Sequence, residues 1–238
     1  MFPMTARPPT LSFDVAAAMR HLSERDDRLG RLIAANGAFQ LRTRGLHSPY
    51  EALLEAISYQ SISRNAAATI FGRVKALGKR GRPPTPEAML KLSKTTLRKA
   101  GLSGAKILAM KDLARKTLAG VVPTLARAHR MSDDELIERL TSVRGIGVWS
   151  VEMFLIFRLG RPDVLPIHDL GVKKGWSVTY GKKHMPRPQE LLAFGERWRP
   201  YRTVASWYMW RAFERAGYAA TNKIRPARPS RKAGRRRS

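Results

Sequence analysis

Leu140 to Val172, LTSVRGIGVWSVEMFLIFRLGRPDVLPIHDLGV, brings together the residues of this chain best suited to chemistry. A Gly145-Ile146-Gly147 turn is followed at once by an indole, Trp149. An apolar run then leads to Asp169 in Pro-Ile-His-Asp, and Asp169 is the only acid between Asp163 and Glu190. Glycine has no Cβ, so Gly145 and Gly147 are expected to take positive φ and let another backbone come close. The amides opening the next helix would then face outward, and a helix N-terminus is a ready anion site. The dipole of a helix starting after Asp169 favours its ionised carboxylate in the same way. A phosphate grip and a lone carboxylate are therefore expected in one supersecondary unit. Each has a plainer reading as well: Gly-x-Gly also makes simple helix–helix turns, and an aspartate before a helix is also an N-cap.

Helices must position these groups. Ser48-Pro49-Tyr50-Glu51 and Ser132 with Glu135 read as capping boxes, which predict helices from Pro49 and over about 133–140. Thr85-Pro86-Glu87 starts another by the same logic. Apolar spacing predicts two short helices within 11–36, a helix over the run ALLEAISYQ and a second carrying Ala67, Ile70, Phe71, Val74 and Leu77 on one face. LSKTTLRKAGLSGAKILAMKDLARKTLAG divides into a short and a longer helix, Val148 to Phe157 is apolar nearly all round and predicts a helix buried on most sides, and helices over roughly 169–178, 188–198 and 201–216 complete the chain. No strand pattern appears in 11–218, so the expected class is all-α.

Composition narrows the partners. The 45 Lys and Arg against 18 Asp and Glu give +27; the tail from Asn222 to Ser238 carries eight of the basic residues and no acid, so the rest holds +19. A body basic in its own right points to a polyanion such as nucleic acid. With no cysteine there is no disulfide, no thiolate zinc site and no cysteine-held iron–sulfur cluster. No apolar run is long enough for a membrane span and MFPMTARPPT lacks a signal-peptide core, so an intracellular protein without membrane contact is expected.

At VRGIGVW (143–149), GRPDVLP (160–166) and Asp169 the chain resembles the helix–hairpin–helix (HhH-GPD) DNA glycosylase superfamily, and Trp149 just after the hairpin makes it most similar to the DNA-3-methyladenine glycosylase II branch. AISYQSIS (56–63) resembles that family's Gln-containing helix-turn that enters the duplex, and WRPYRTVASWYMWR (198–211) its C-terminal tryptophan helix. The resemblance implies two helical subdomains around a DNA-binding cleft, within 11–221, with a hairpin subdomain over about 49–165 and the remainder from N- and C-terminal helices. Residues 1–10 are expected to be flexible and 222–238 a disordered basic tail.

The resemblance implies removal of alkylated bases from double-stranded DNA. Breaking an N-glycosidic bond makes C1′ cation-like, and Asp169 is the anion expected beside it. Trp149, Met153, Trp210 and Tyr208 are expected around the base, where electron-poor alkylated rings gain from stacking on indoles. Trp198 and one of Trp207 or Trp210 are expected in the core. Trp149 stands where the glycosylase/lyase branch carries a lysine, so no Schiff base forms and base removal is monofunctional. Gln60, Ser61 and Ile62 are expected to enter the duplex, the amides of Gly145, Ile146 and Gly147 to meet phosphate, and Lys173 with Lys174 to contact the backbone. Asp163 is expected to be structural, and His168 either structural or a DNA contact. No cofactor is required; the family's hairpin carbonyls, here Thr141, Val143 and Ile146, also hold a structural Na+ or K+. A monomer, cytoplasmic or nucleoid-associated in a prokaryote, is expected. The rival reading is a non-catalytic helix–hairpin–helix protein that recognises distorted duplex, although binding alone does not need a carboxylate facing a polyanion.

Overall fold

The computed structural model describes residues 11, 13–41 and 48–217; the expectations for 1–10 and 222–238 fall outside the described residues. Helices run through the chain as α1 (Val15–Arg25), α2 (Asp27–Asn36), α3 (Pro49–Tyr59), α4 (Arg64–Ala76), α5 (Pro86–Lys91), α6 (Lys94–Lys99), α7 (Gly104–Leu118), α8 (Leu125–Arg130), α9 (Asp133–Thr141), α10 (Val148–Phe154), α11 (Leu170–Thr179), α12 (Pro188–Gly195) and α13 (Arg202–Arg215). Among the described residues no strand forms, and no helix is long and apolar enough to cross a membrane. The chain divides into two compact units, one spanning Arg42–Gly160 and the other joining Leu11–Leu41 to the chain from Arg161 onward.

Capping sets most helix starts. Ser48, Ser63, Ser103, Thr124 and Ser132 each accept an amide of the first turn, a contact worth about 1 kcal/mol. The two expected capping boxes keep only this half. Glu51 turns to Arg82 (Nε to Oε1, 2.9 Å) and Glu135 to Arg139 (3.2 Å), because a guanidinium offers a charged partner where the N-cap amide is neutral. α8 had no expectation; its six residues are too few to display a period.

In the 42–160 unit, α3 and α5 pack on α7 around Leu53, Leu54, Ile57, Met89, Met110 and Leu113, α4 packs on α3, and α9 and α10 form the hairpin pair. After α10 the chain widens into a π-helical turn over Leu155–Leu159. The expectation that 148–157 is buried on most sides fails in its first turn, where Val148 and Trp149 are exposed.

The other unit is centred on α13, where every residue from Thr203 to Met209 is buried. It buries a carboxylate, Asp26, which accepts the Leu29 amide (3.1 Å), the Tyr180 hydroxyl (2.6 Å) and the Trp198 indole N–H (3.2 Å). These donors satisfy a carboxylate that would otherwise be costly to bury. Trp198, as expected, belongs to this core.

Candidate active site

Asp169 is fixed from three directions. The segment before it is pinned to the start of α13: Thr203 Oγ1 donates to the Arg161 carbonyl (2.6 Å) and accepts the Val164 amide (3.0 Å). Asp163 accepts Arg202 Nε (2.8 Å) and Arg199 Nη1 (2.7 Å), a structural use of that acid. A turn then closes, with the Asp169 amide donating to the Pro166 carbonyl (2.9 Å). Finally the side chain caps α11: its Oδ1 accepts the Val172 amide (2.8 Å) and the indole N–H of Trp210 (2.8 Å). Two donors converging on one oxygen set the plane of the carboxylate. The side chain is thus the N-cap of α11, the plainer of the two expected readings.

Trp210 reaches Asp169 because Gly171 lies between them. A Cβ there would stand 2.7 Å from Trp210 Cδ1 and 3.1 Å from Asp169 Oδ1. Gly175, one turn on, would place a Cβ 1.9 Å from the Met209 carbonyl oxygen. The two glycines let α11 lie against α13 closely enough for indole and carboxylate to meet. Sequence reading passed over Gly171; Asp-Leu-Gly one residue into a helix was the available signal.

Other expected positions in this unit sort differently. Tyr208 is fully buried, donates its hydroxyl to the Gly37 carbonyl (2.8 Å) and packs edge-on to Trp207, so it is a core residue with no face for a base. It was misplaced because α13 is buried on nearly every side, and adjacency to Trp210 in sequence says nothing of direction. Trp207 packs on Phe39 and is the core member of its pair. Lys174 is only 6% exposed, its ammonium over the Phe213 ring, which takes it out of reach as a phosphate contact. Lys173 is partly exposed and His168 exposed.

In the 42–160 unit the hairpin has the left-handed Gly145 expected (φ 77°). Gly147 is instead extended (φ −101°) at the N-cap of α10, where any residue fits, since the single left-handed residue already completes the turn. α10 has no side-chain cap. The Ile146 amide is spent on the Val143 carbonyl (3.0 Å) and its side chain is buried.

Two residues on α7 that the sequence did not single out clamp this hairpin. Asp112 Oδ2 accepts the Arg144 amide (2.9 Å), and the Lys116 ammonium bridges Asp112 and the Ser142 carbonyl. Partial burial alone would raise the Asp112 carboxyl; the Arg144 amide and Lys116 outweigh it and hold it below the usual carboxylate range. Gln60 adds a strut, its Nε2 donating to the Gly145 carbonyl (2.8 Å). That contact occupies the amide expected to enter DNA and leaves Ser61, held at φ 57°, and Ile62, 40% exposed, at the tip of the turn. Left-handed backbone at a non-glycine residue costs on the order of 1 kcal/mol, and such strain collects at working sites.

Trp149 is 47% exposed, unusual for an indole opening an otherwise apolar helix. Met153 lies one turn on, in the wall of a cavity of about 420 Å³ formed by α3, α10 and the π-helical turn. A larger hollow, about 1020 Å³, opens at the other end of α3 around Ser48 and Pro83–Pro86 and contains none of the expected site residues.

Residues 54–200 match the family model described as HhH-GPD superfamily base excision DNA repair protein. The chain is 38% identical over 207 residues to DNA-3-methyladenine glycosylase 1 of Schizosaccharomyces pombe, covering 87% of this chain and 90% of that protein. It is 30% identical to the alkylbase DNA glycosidase-like protein mag2 of the same yeast, over 83% of this chain and 93% of that one. Among solved structures, the S. pombe 3-methyladenine DNA glycosylase in complex with abasic DNA superposes with a TM-score of 0.74 at 38% identity, over 82% of this chain and 95% of that chain. A DNA-3-methyladenine glycosidase from Bacillus halodurans does so with a TM-score of 0.76 at 32% identity, over 87% and 94%.

Proposed function

The chain belongs to the HhH-GPD superfamily of base excision DNA repair proteins, and from that premise we propose that it is a monofunctional glycosylase that releases alkylated bases, of the 3-methyladenine and 7-methylguanine type, from double-stranded DNA. The observation that carries this reading is Asp169, ionisable, capping α11, and turned by Val172 and Trp210 into a single orientation.

The reaction follows from that carboxylate. A base alkylated on a ring nitrogen leaves with the electron pair of the C1′–N bond and departs neutral. The sugar becomes an oxocarbenium ion, which the Asp169 carboxylate stabilises; a water adds to C1′ and gives up a proton, leaving an intact abasic strand. Trp149 offers no amine for a Schiff base, so the strand is not cut. The base must leave the duplex first. Ile62 is the apolar group at the tip of the 60–62 turn suited to fill the gap, while Gln60 braces the turn. The amides of Gly145 and Gly147 and the side chain of Lys173 take the neighbouring phosphates. Trp149 and Met153, on one face of α10, and Trp210 supply surfaces for an electron-poor ring.

None of these steps calls on a metal. A monovalent cation at the carbonyls of Thr141, Val143 and Ile146 suits neutral oxygens at the negative end of α9, an end already attractive enough to hold the Lys116 ammonium on Ser142. It would add positive charge near a bound phosphate. The protein works as a monomer on DNA in the cytoplasm or nucleoid of a prokaryote.

The test is release of 3-methyladenine or 7-methylguanine from methylated duplex by the wild type and by Asp169→Asn. Release by the wild type alone supports the reading. Equal release by both removes Asp169 from its role, and tight DNA binding without free base at any enzyme excess would leave only a distorted-duplex binder.

A further inference from the structure

α7 carries a row of charged side chains that the proposed reaction does not use. Lys106, Ala109, Asp112 and Lys116 recur every three or four residues and so share one face of the helix. Lys106 Nζ donates to the Ser58 carbonyl (2.8 Å) in the last turn of α3, just before the 60–62 turn. Lys116 Nζ donates to the Ser142 carbonyl at the end of α9 and pairs with Asp112 (3.4 Å), whose Oδ2 accepts the Arg144 amide (2.9 Å) of the hairpin. Between the two lysines Ala109 faces the hairpin, and a Cβ built on Gly145 would stand 3.4 Å from its methyl. Gln60 Nε2 completes the set by donating to the Gly145 carbonyl (2.8 Å).

Three bodies are thus tied pairwise, α7 to the 60–62 turn, α7 to the hairpin, and turn to hairpin, all within the 42–160 unit. Such a triangle is rigid, and removing any side leaves a hinge. Stability alone is a weak reason for the row. The attraction of an ammonium for a helix C-terminus is small, and for Lys106 partial burial opposes the charge and pulls its pKa below the usual lysine range. What the ties fix is a separation, that between the left-handed Gly145 of the hairpin and the exposed tip formed by Ser61 and Ile62. Lys111 makes the same kind of bond to the Leu90 carbonyl of α5 (3.3 Å), a helix followed by neither turn.

Resting on the base-excision reading, we infer that Lys106, Asp112 and Lys116 are positioning residues that hold the 60–62 turn and the hairpin at one separation, so that the grip on phosphate aims the turn at the base being extruded. The hairpin anchors the DNA backbone, and the turn must then meet the gap that the base leaves. A turn free to swing reaches that gap in only a fraction of complexes, and extrusion falls by the same fraction. A damaged base that is already unpaired needs no such aim. The ties therefore matter for paired damage and not for unpaired damage.

The full-length protein, in excess over DNA, is tested on 7-methylguanine paired with cytosine and on 7-methylguanine in a one-nucleotide bulge, with denaturant midpoints measured on the same preparations. Lys106→Met and Lys116→Met are each expected to slow release from the pair by about tenfold, as for a lost hydrogen bond to a charged group, and to leave release from the bulge unchanged. The two lysines lie about 15 Å apart along the helix, too far to interact directly, so independent effects would multiply. The double variant is expected instead to be about as slow as either single one, because a frame opened at one side gains little freedom at a second. Lys111→Met is expected to lower the midpoint as the others do and to leave both rates unchanged. Should Lys116→Met fail to fold, Asp112→Asn takes its place, since it keeps an acceptor for the Arg144 amide and removes the charge paired with Lys116. Unaltered release from the pair overturns the inference, as do equal slowing on pair and bulge, losses that multiply in the double variant, or a Lys111→Met that slows release as the others do. A wild type that releases base from neither substrate overturns the excision reading itself, and this inference with it.

Discussion

In the proposed reaction Asp169 would meet two demands with one side chain. Capping α11 requires an oxygen aimed at the Val172 amide, and stabilising a sugar cation requires a carboxylate whose plane does not wander; the same Oδ1 contacts, to Val172 and to Trp210, serve both. Trp210→Phe keeps an aromatic surface and deletes one of the two donors. Base release should fall roughly tenfold, as expected for a lost hydrogen bond to a charged group, with abasic-duplex affinity retained. Ile62 permits a separate test. Ile62→Ala shortens the exposed apolar tip without touching Asp169, so weaker binding and slower release from intact duplex are expected, with little change on a strand where the damaged base is already unpaired. Asp169 was legible because an isolated acid stands out in so basic a chain.

Among the elements, the contact between α11 and α13 is the most exacting. At Gly175 an added Cβ would strike the Met209 carbonyl, a backbone atom that moves only if the helices separate. Gly175→Ala should therefore destabilise by about 1–3 kcal/mol, read as a lowered midpoint in denaturant unfolding. At Gly171 the obstacle is the Trp210 side chain, which can swing away. Gly171→Ala should cost less stability and proportionally more base release, measured on the same preparations. Helix positions were largely legible from Ser, Thr and Asp caps and from 3.6-residue spacing. The inward side of α13 was not, because a helix buried on nearly all faces carries no polar stripe to reveal its direction, and so Tyr208 read as a pocket residue. The clamp of Asp112 and Lys116 on the hairpin was equally hidden: charges at i and i+4 on a helix ordinarily read as a surface pair, and here they also reach Ser142 and Arg144.

For the molecule as a whole, buried phenols make alkaline pH a probe of both compact units. Burial pushes Tyr208 up to about 12. Tyr50 is raised further by burial and the nearby Glu87, and Tyr180 by burial and its bond to Asp26. A pKa raised above the unfolded value near 10 means that the folded state holds its proton longer. These groups' contributions are whole below about pH 10 and are lost as pH climbs through 12 and beyond. Denaturant midpoints should fall over that range, and phenolate absorbance from these three should appear only with unfolding. Sequence alone determined what depends on local order and composition: an all-α chain, strongly basic, carrying a hairpin and an isolated aspartate. Tertiary structure decided direction: which indole meets Asp169 and which lysine is buried. Periodicity and capping are encoded within a few residues of one another, whereas a side chain's surroundings are built from partners distant in the chain and are set only when the helices pack.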